Sequence, residues 1–173
     1  MLTKFTAECF IGVGSNIAWL GEDRTSSIKE AVARLAAIDG LEVIRQSSVY
    51  QSQPVGFACS DWFRNSVVKV ETTINPARLL SKLKNIEAMM GRRGSRRKKY
   101  ESRVIDLDIL LYGGLIVDEM FLSIPHPHMH ERRFVMVPME EVAPDLVHPL
   151  LRMSMRDILD DLEDCHLVRG SCV

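Results

Sequence analysis

The sequence is short of most features that announce a partner. Lys+Arg 22 against Asp+Glu 23 leaves a formal net charge of -1, so the molecule as a whole is not built to hold a polyanion and any basic site must be local. Aromatic residues make up 6% of the chain, and no aromatic string of the kind that stacks RNA bases on a sheet is visible. That argues against a nucleic-acid partner. No apolar run approaches membrane-spanning length, so no membrane-spanning helix is expected. Residues 1–10 lack a basic region followed by a long apolar one, so the expectation is a cytoplasmic protein. The four cysteines, Cys9, Cys59, Cys165 and Cys172, show no C-x-x-C spacing. They read as free thiols of a reducing compartment, with a Cys165–Cys172 bridge as the alternative. There is no GxxxxGK[ST] loop, so any phosphate would be held by side chains and metal. Internal repeats and low-complexity segments are absent.

What is present is 173 residues, 46% hydrophobic and 26% charged. That is enough chain for one globular domain over residues 1–173 with a substantial core.

The informative stretch is Ser102-Arg103-Val104-Ile105-Asp106-Leu107-Asp108-Ile109-Leu110-Leu111-Tyr112-Gly113. A period of two puts Ile105, Leu107, Ile109 and Leu111 on one strand face and Val104, Asp106, Asp108 and Leu110 on the other. Two carboxylates one pleat apart, about 6.5–7 Å along the strand, repel each other unless a cation sits between them. Mg²⁺ takes one or two carboxylates from protein and completes its shell with water and substrate phosphates, so a rigid Asp-x-Asp pair suits a magnesium-nucleotide site. The alternative is an edge strand whose charges discourage pairing with another sheet.

The preceding loop concentrates positive charge in Arg92, Arg93, Arg96, Arg97, Lys98, Lys99 and Arg103. Such a run is often a solvated face or a nucleic-acid contact. Its position three residues before Asp106 instead lets it fold over the carboxylates, where a triphosphate needs cations. Residues 91–102, flanked by glycine, are a candidate lid over bound ligands. Further on, Ile124-Pro125-His126-Pro127-His128-Met129-His130-Glu131-Arg132-Arg133-Phe134 holds three histidines at alternate positions. Zinc is poorly supported there, since no separate ligand motif accompanies them. His128 and His130 read as surface residues. His126 is fixed between prolines, and it and Arg132 are suited to donate to phosphate oxygens.

Around these motifs the pattern predicts a strand over 9–13 stopped by a turn at 14–16, a helix over 24–38, and a strand over 41–51 weakened by Arg45 to Ser48. A third strand is expected over 62–73. A helix follows, N-capped by Asn75 with Pro76 at its first position, carrying Leu79, Leu80, Leu83, Ile86 and Met90 and closed by Gly91. With the Asp-x-Asp strand this is strand-helix-strand-strand-helix-strand, the α/β (α+β) ferredoxin-like βαββαβ sandwich. A short strand at 115–117, a helix near 132–142, a last helix capped by Ser154 and a loose end are expected after it.

Taken together, Arg103-x-x-Asp106-Leu107-Asp108-Ile109-Leu110-Leu111-Tyr112-Gly113, Pro125-His126-Pro127 and Arg132-x-Phe134-x-x-x-Pro138-x-x-x-Val142-Ala143-Pro144 resemble the 6-hydroxymethyl-7,8-dihydropterin pyrophosphokinases of folate biosynthesis. The resemblance extends back through Gly14-Ser15-Asn16, Tyr50 to Gly56, Phe63-x-Asn65 and Glu87-x-x-x-Gly91-Arg92, up to about residue 149. It implies diphosphate transfer from ATP to the pterin's hydroxymethyl group with release of AMP. It also implies two Mg²⁺ ions on Asp106 and Asp108, and Arg92, Arg103, His126 and Arg132 on the ATP phosphates. Lys84, Glu87, Ile109 and Ser123 would lie around the nucleotide. Ser52, Val55, Phe63, Asn65 and Phe134 would form the pterin pocket, the two phenylalanines stacking and the amide bonding the ring's polar edge. Arg92, Arg103, Asp106 and Asp108 are the expected catalytic residues, acting through alignment and charge neutralisation. A monomer is expected.

The chain departs from that family at Ser52-Gln53, where Thr-Pro is common, at Glu101-Ser102, where Gly-Pro is common, and in a longer basic loop. Two other readings fit some of the residues. A metal-dependent phosphohydrolase would use Asp106, Asp108 and the histidines, and a ferredoxin-like nucleic-acid binder would use the basic loop.

Overall fold

The computed structural model describes residues 6–18, 25–53, 62–91, 104–164 and 166–170. Its elements are β1 (Ala7–Ser15), α1 (Ser26–Ala36), β2 (Leu41–Gln46), β3 (Tyr50–Ser52), β4 (Phe63–Thr72), α2 (Pro76–Met89), β5 (Asp106–Tyr112), β6 (Val117–Glu119), β7 (Leu122–Ile124), α3 (Arg133–Val142), α4 (Met155–Asp160) and β8 (Val168–Gly170). The main sheet runs β5-β1-β4-β3-β8, with β2 also paired to β4. All these pairs are antiparallel. This is the expected ferredoxin-like arrangement, with α3 and α4 added on the second face.

Each face of the sheet buries its own core. On one side Cys9, Ile11 and Val13 of β1, Val68 and Val70 of β4 and Leu107 and Ile109 of β5 meet Ile28, Ala31 and Leu35 of α1 and Leu79, Leu83 and Ile86 of α2. On the other, Phe10, Val67, Leu110 and Leu111 meet Val135, Met136, Met139 and Val142 of α3 and Met155 and Ile158 of α4. The second layer reaches the sheet through α3, which packs across β4 and β3.

Several local expectations hold for their stated reasons. Asn75 Oδ1 accepts from the Arg78 amide at 2.9 Å, closing the start of α2. Gly91 ends that helix with φ 86, a conformation other residues adopt at a cost. Ser154 Oγ accepts from the Asp157 amide at the start of α4.

Others are corrected. Gly14 does not begin a turn: β1 continues to Ser15, because Gly14 is paired on both sides, with Asn65 and with Asp106. The predicted strand over 41–51 is two, broken at 47–49. There the Ser47 amide donates to the Val67 carbonyl, and its hydroxyl accepts from the Val67 amide, both at 2.9 Å. A side chain thus replaces one rung of the ladder. The strand expected at 115–117 begins only at Val117 and runs to Glu119, as the first arm of a hairpin of β6 with β7. The chain stays paired as far as Gly170, where β8 runs beside β3, and residues 171–173, where a loose end is expected, lie outside the described residues.

Leu111 is the most instructive correction. The register of β5 on β1 shifts between Phe10 and Ile11, which oppose Leu111 and Ile109, so Leu110 is an extra residue. The bulge puts Leu111 in the second core and returns Tyr112 to the first, where its hydroxyl donates to the Ile74 carbonyl at 2.7 Å.

Candidate active site

Asp106 and Asp108 project from β5 toward the α3 face, and what stands beside them on β1 is glycine. Asp106 opposes Gly14, and Gly14 opposes Asn65 of β4; Asp108 opposes Gly12, which opposes Val67. Residues directly opposite across an antiparallel sheet share a face, so the carboxylate pair and the Asn65 amide look over a strip of bare backbone. A Cβ on Gly14 would come within 3.3 Å of Asn65 Oδ1, and one on Gly12 within 3.3 Å of the Leu110 side chain. A flat or branched ligand can approach the backbone here.

Asn65 is 7% exposed and Ser52 2%. The Asn65 Nδ2 donates to Ser52 Oγ at 2.7 Å, which turns Oδ1 toward the gap over Gly14. Phe63 opposes Ser52 at the start of β4. Facing this end of the sheet, Phe134 packs against the second core, and the Arg132 guanidinium lies 5.9 Å from its ring centroid. Ser52, Phe63 and Asn65 therefore gather where β3 meets β4, while Arg132 and Phe134 stand together at the start of α3, a helix that packs across both strands.

The His126 amide donates to the Leu110 carbonyl at 2.9 Å, anchoring the loop after β7 to the bulge. Its ring Nδ1 accepts from the His128 amide at 3.2 Å, so the proton of the neutral ring is on Nε2, available to an anion. Burial pushes its pKa below the ordinary value, while Asp108 pulls it up and Arg132 and His128 push it down. His126 thus feels the charges of both Asp108 and Arg132.

Lys84 and Glu87 lie on α2, at the outer edge of β5. The Glu87 carboxylate is buried and accepts from the Leu107 amide at 2.8 Å and from Lys84 Nζ at 2.9 Å. Lys84 also donates to the Leu107 carbonyl at 3.2 Å and lies 3.8 Å from Asp108 Oδ1. These two residues tie the edge of the carboxylate strand, and the Lys84 ammonium offsets part of its negative charge. The Ile109 side chain is in the first core, 4% exposed. Its offering to a ligand is backbone, which strand alternation turns to the same outer edge as Leu107's. Ser123 sits half-buried in β7, opposite Asp118.

Val55, Arg92, Arg103 and nearly all of the predicted lid lie outside the described residues. Of the histidines, His128 is exposed and paired with Glu131 at 2.9 Å. His130 is not a plain surface residue: its ring lies 5.9 Å from that of His148 and its Nδ1 is buried. Among the described residues no three His, Cys, Asp or Glu side chains converge as a metal cage. Two hard carboxylates beside a bare strip fit Mg²⁺ that draws its other ligands from water and phosphate.

Sequence reasoning missed Gly12 and Gly14 as a floor, although glycine at alternate positions in a strand is itself a signal of close approach. It also missed Glu141 of α3. That carboxylate accepts from the Tyr50 hydroxyl at 2.8 Å and the Ser48 amide at 3.0 Å and fastens β3. No sequence pattern marks a pair so far apart.

The family model of 7,8-dihydro-6-hydroxymethylpterin-pyrophosphokinase (HPPK) matches residues 10–144. The chain belongs to this family. A 2-amino-4-hydroxy-6-hydroxymethyldihydropteridine pyrophosphokinase of Methylorubrum extorquens is 41% identical over 138 residues, covering 80% of this chain and 84% of its own. The enzyme of that name from Aquifex aeolicus is 36% identical over 151 residues, covering 87% and 89%. Among solved structures, Plasmodium falciparum HPPK-DHPS with pteroate aligns with a TM-score of 0.70 at 15% identity, over 90% of this chain and 44% of that one. At that identity the likeness speaks for the fold, and this chain spans less than half of that larger one. The family match ends at residue 144, so α4, Asp164 and β8 lie beyond it.

Proposed function

We propose that the protein transfers diphosphate from ATP to the hydroxymethyl group of 6-hydroxymethyl-7,8-dihydropterin, releasing AMP, as a step of folate biosynthesis. Supporting this are the family membership and the names of relatives aligned over most of their length. The observation that carries it is the row Asp106–Gly14–Asn65: a carboxylate pair for the nucleotide's metal and a buried amide for a heterocycle, held on one face across a glycine floor.

In this reading Asn65, with Ser52 behind it, binds the polar edge of the pterin, and Phe63 and Phe134 take its faces. Asp106 and Asp108 hold Mg²⁺, two ions being expected, which when bound screens the phosphate charge and orients the diphosphate. His126 Nε2 and Arg132 donate to phosphate oxygens, joined by Arg92 and Arg103. The hydroxyl oxygen attacks the β-phosphorus as the bond from that phosphorus to the bridging oxygen breaks, AMP leaving with the bridging oxygen and the hydroxyl proton passing to water. No strong base stands at the described part of the site, so rate enhancement comes from alignment and charge. As further proposals, the protein is a cytoplasmic monomer of one domain. Cys9 fits such a compartment as a buried free thiol, its pKa pushed up to about 12 by burial.

The test is incubation with ATP, Mg²⁺ and the hydroxymethyl dihydropterin. AMP formed in step with pterin consumption is the expected result. Inorganic phosphate without pterin dependence would identify a hydrolase, and no turnover would leave a binding module.

A further inference from the structure

α3 begins at the most crowded point of the site, since Arg132 precedes it and Phe134 is its second residue. Yet the helix has no local cap. Arg132 occupies the N-cap position and makes no side-chain cap hydrogen bond, and a guanidinium has no acceptor with which to make one. The missing acceptor comes from far along the chain: Asp164 Oδ2 accepts from the Arg133 amide at 2.8 Å. The other oxygen, Oδ1, accepts from the His166 amide at 2.9 Å and pairs with the His166 ring. From there the chain crosses directly to the pterin side. The Leu167 amide donates to Gln53 Oε1 at 3.3 Å, the Gln53 amide donates to the Leu167 carbonyl at 3.3 Å, and Val168 opposes Ser52. The Arg169 guanidinium lies 5.3 Å from the Trp62 ring centroid, next to Phe63.

We propose that Asp164 is a positioning residue for the diphosphate-transfer site, holding the start of α3, with Arg132 and Phe134, in fixed relation to the Ser52 end of β3 through the segment 166–170. The inference rests on the functional reading above and adds a part of the chain that the family match does not cover.

An open cleft of about 540 Å³ lies at the joint, lined by Arg132, Met153, Ile158, Leu162, Asp164 and His166 among others. Asp164 keeps its charge there: burial raises its pKa, but the hydrogen bonds from Arg133 and His166 outweigh that and leave it below the usual carboxylate range. A negative group at a helix N-terminus is also favoured by the helix dipole.

The experiment compares Asp164→Ala and Asp164→Asn with Ser154→Ala, which removes the cap of α4 and serves as an equally local stability control. Steady-state constants for ATP and the dihydropterin are measured at 15 °C on variants whose circular dichroism matches wild type, with thermal midpoints alongside. Asp164→Ala should raise both KM values about tenfold, the loss expected for one charge-assisted hydrogen bond, with a smaller change in kcat. Asp164→Asn should recover most of that, because its amide oxygen still accepts from Arg133. Ser154→Ala should lower the midpoint and leave both KM values unchanged. If the alanine variant cannot be purified, the asparagine variant decides, and its KM values must rise about twofold to threefold. Unchanged KM values in the Asp164 variants, or an equal rise in Ser154→Ala, would overturn the positioning role while leaving the functional reading intact. A wild-type protein that forms no AMP would overturn both.

Discussion

Glu87→Ala should destabilise the protein far more than a helix-surface substitution, and the size can be worked from its contacts. Glu87 is 2% exposed, and its Oε1 accepts from the Leu107 amide at 2.8 Å. Removing a charged acceptor strands that buried donor at a cost of about 1.5–3 kcal/mol. The contact with Lys84 adds little, about 0.5 kcal/mol, because the lysine is 43% exposed and its charge is screened. The total of about 2–3.5 kcal/mol corresponds to a fall in thermal midpoint of about 4–14 °C for a chain of this length. Differential scanning calorimetry of wild type, Glu87→Ala and Glu87→Gln checks it. Glutamine keeps an acceptor for Leu107 and should recover at least half of the loss. An alanine variant within about 1 kcal/mol of wild type, or a glutamine variant no better than alanine, would refute the idea that this side chain holds the edge of the carboxylate strand.

Asp106→Ala and Asp108→Ala should each cut AMP formation by orders of magnitude with an unchanged circular dichroism spectrum; near-normal turnover in either would remove that residue from the metal site. Gly14→Ala should weaken dihydropterin binding, read by equilibrium titration, more than it lowers the thermal midpoint, because the new Cβ meets Asn65 Oδ1 at 3.3 Å. Asn75→Ala should cost about 1 kcal/mol in urea unfolding through loss of the α2 cap, and leave the kinetics unchanged. Acidification is the remaining test. Burial first, and His130 second, lower the pKa of His148 from its ordinary 6.5, and its Nδ1 accepts from the Leu150 and Leu151 amides. The unfolded chain therefore binds more protons than the folded one below about 6.5, so stability is full above that pH and falls as the pH drops through it. His148→Gln should flatten the fall between pH 7.5 and 5.5 in urea midpoints, and an undiminished slope would exclude His148 as its source.

The sequence made the fold legible wherever a local rule sufficed. Asn75 and Pro76 start α2 and Gly91 ends it, Ser154 starts α4, and the alternation through Leu107 and Ile109 places Asp106 and Asp108 together on the opposite face. It was misleading where a distant partner decides the outcome. Gly14 looks like a turn until Asn65 and Asp106 flank it, Ser47 interrupts a strand because its hydroxyl takes over a backbone rung from β4, and Leu111 changes sides because β1 cannot match Leu110. Asp164 capping Arg133 across 31 residues leaves no local trace at all. The candidate site was readable as chemistry, in its acids, arginines and amide, but its floor and the ties that hold Tyr50 and Arg133 belong to tertiary structure.

The extra residue at Leu110 makes β5 a strand with two readings of inside and outside. Ahead of it, even-numbered side chains serve the α3 layer; beyond it, Tyr112 has crossed to the α2 layer. Libraries that vary residue identity along this strand keep that phase, but a single deletion would reverse it for every later position, withdrawing the tyrosine lock on Ile74 and the Leu110 anchor for His126 together. Length here is a stricter requirement than composition.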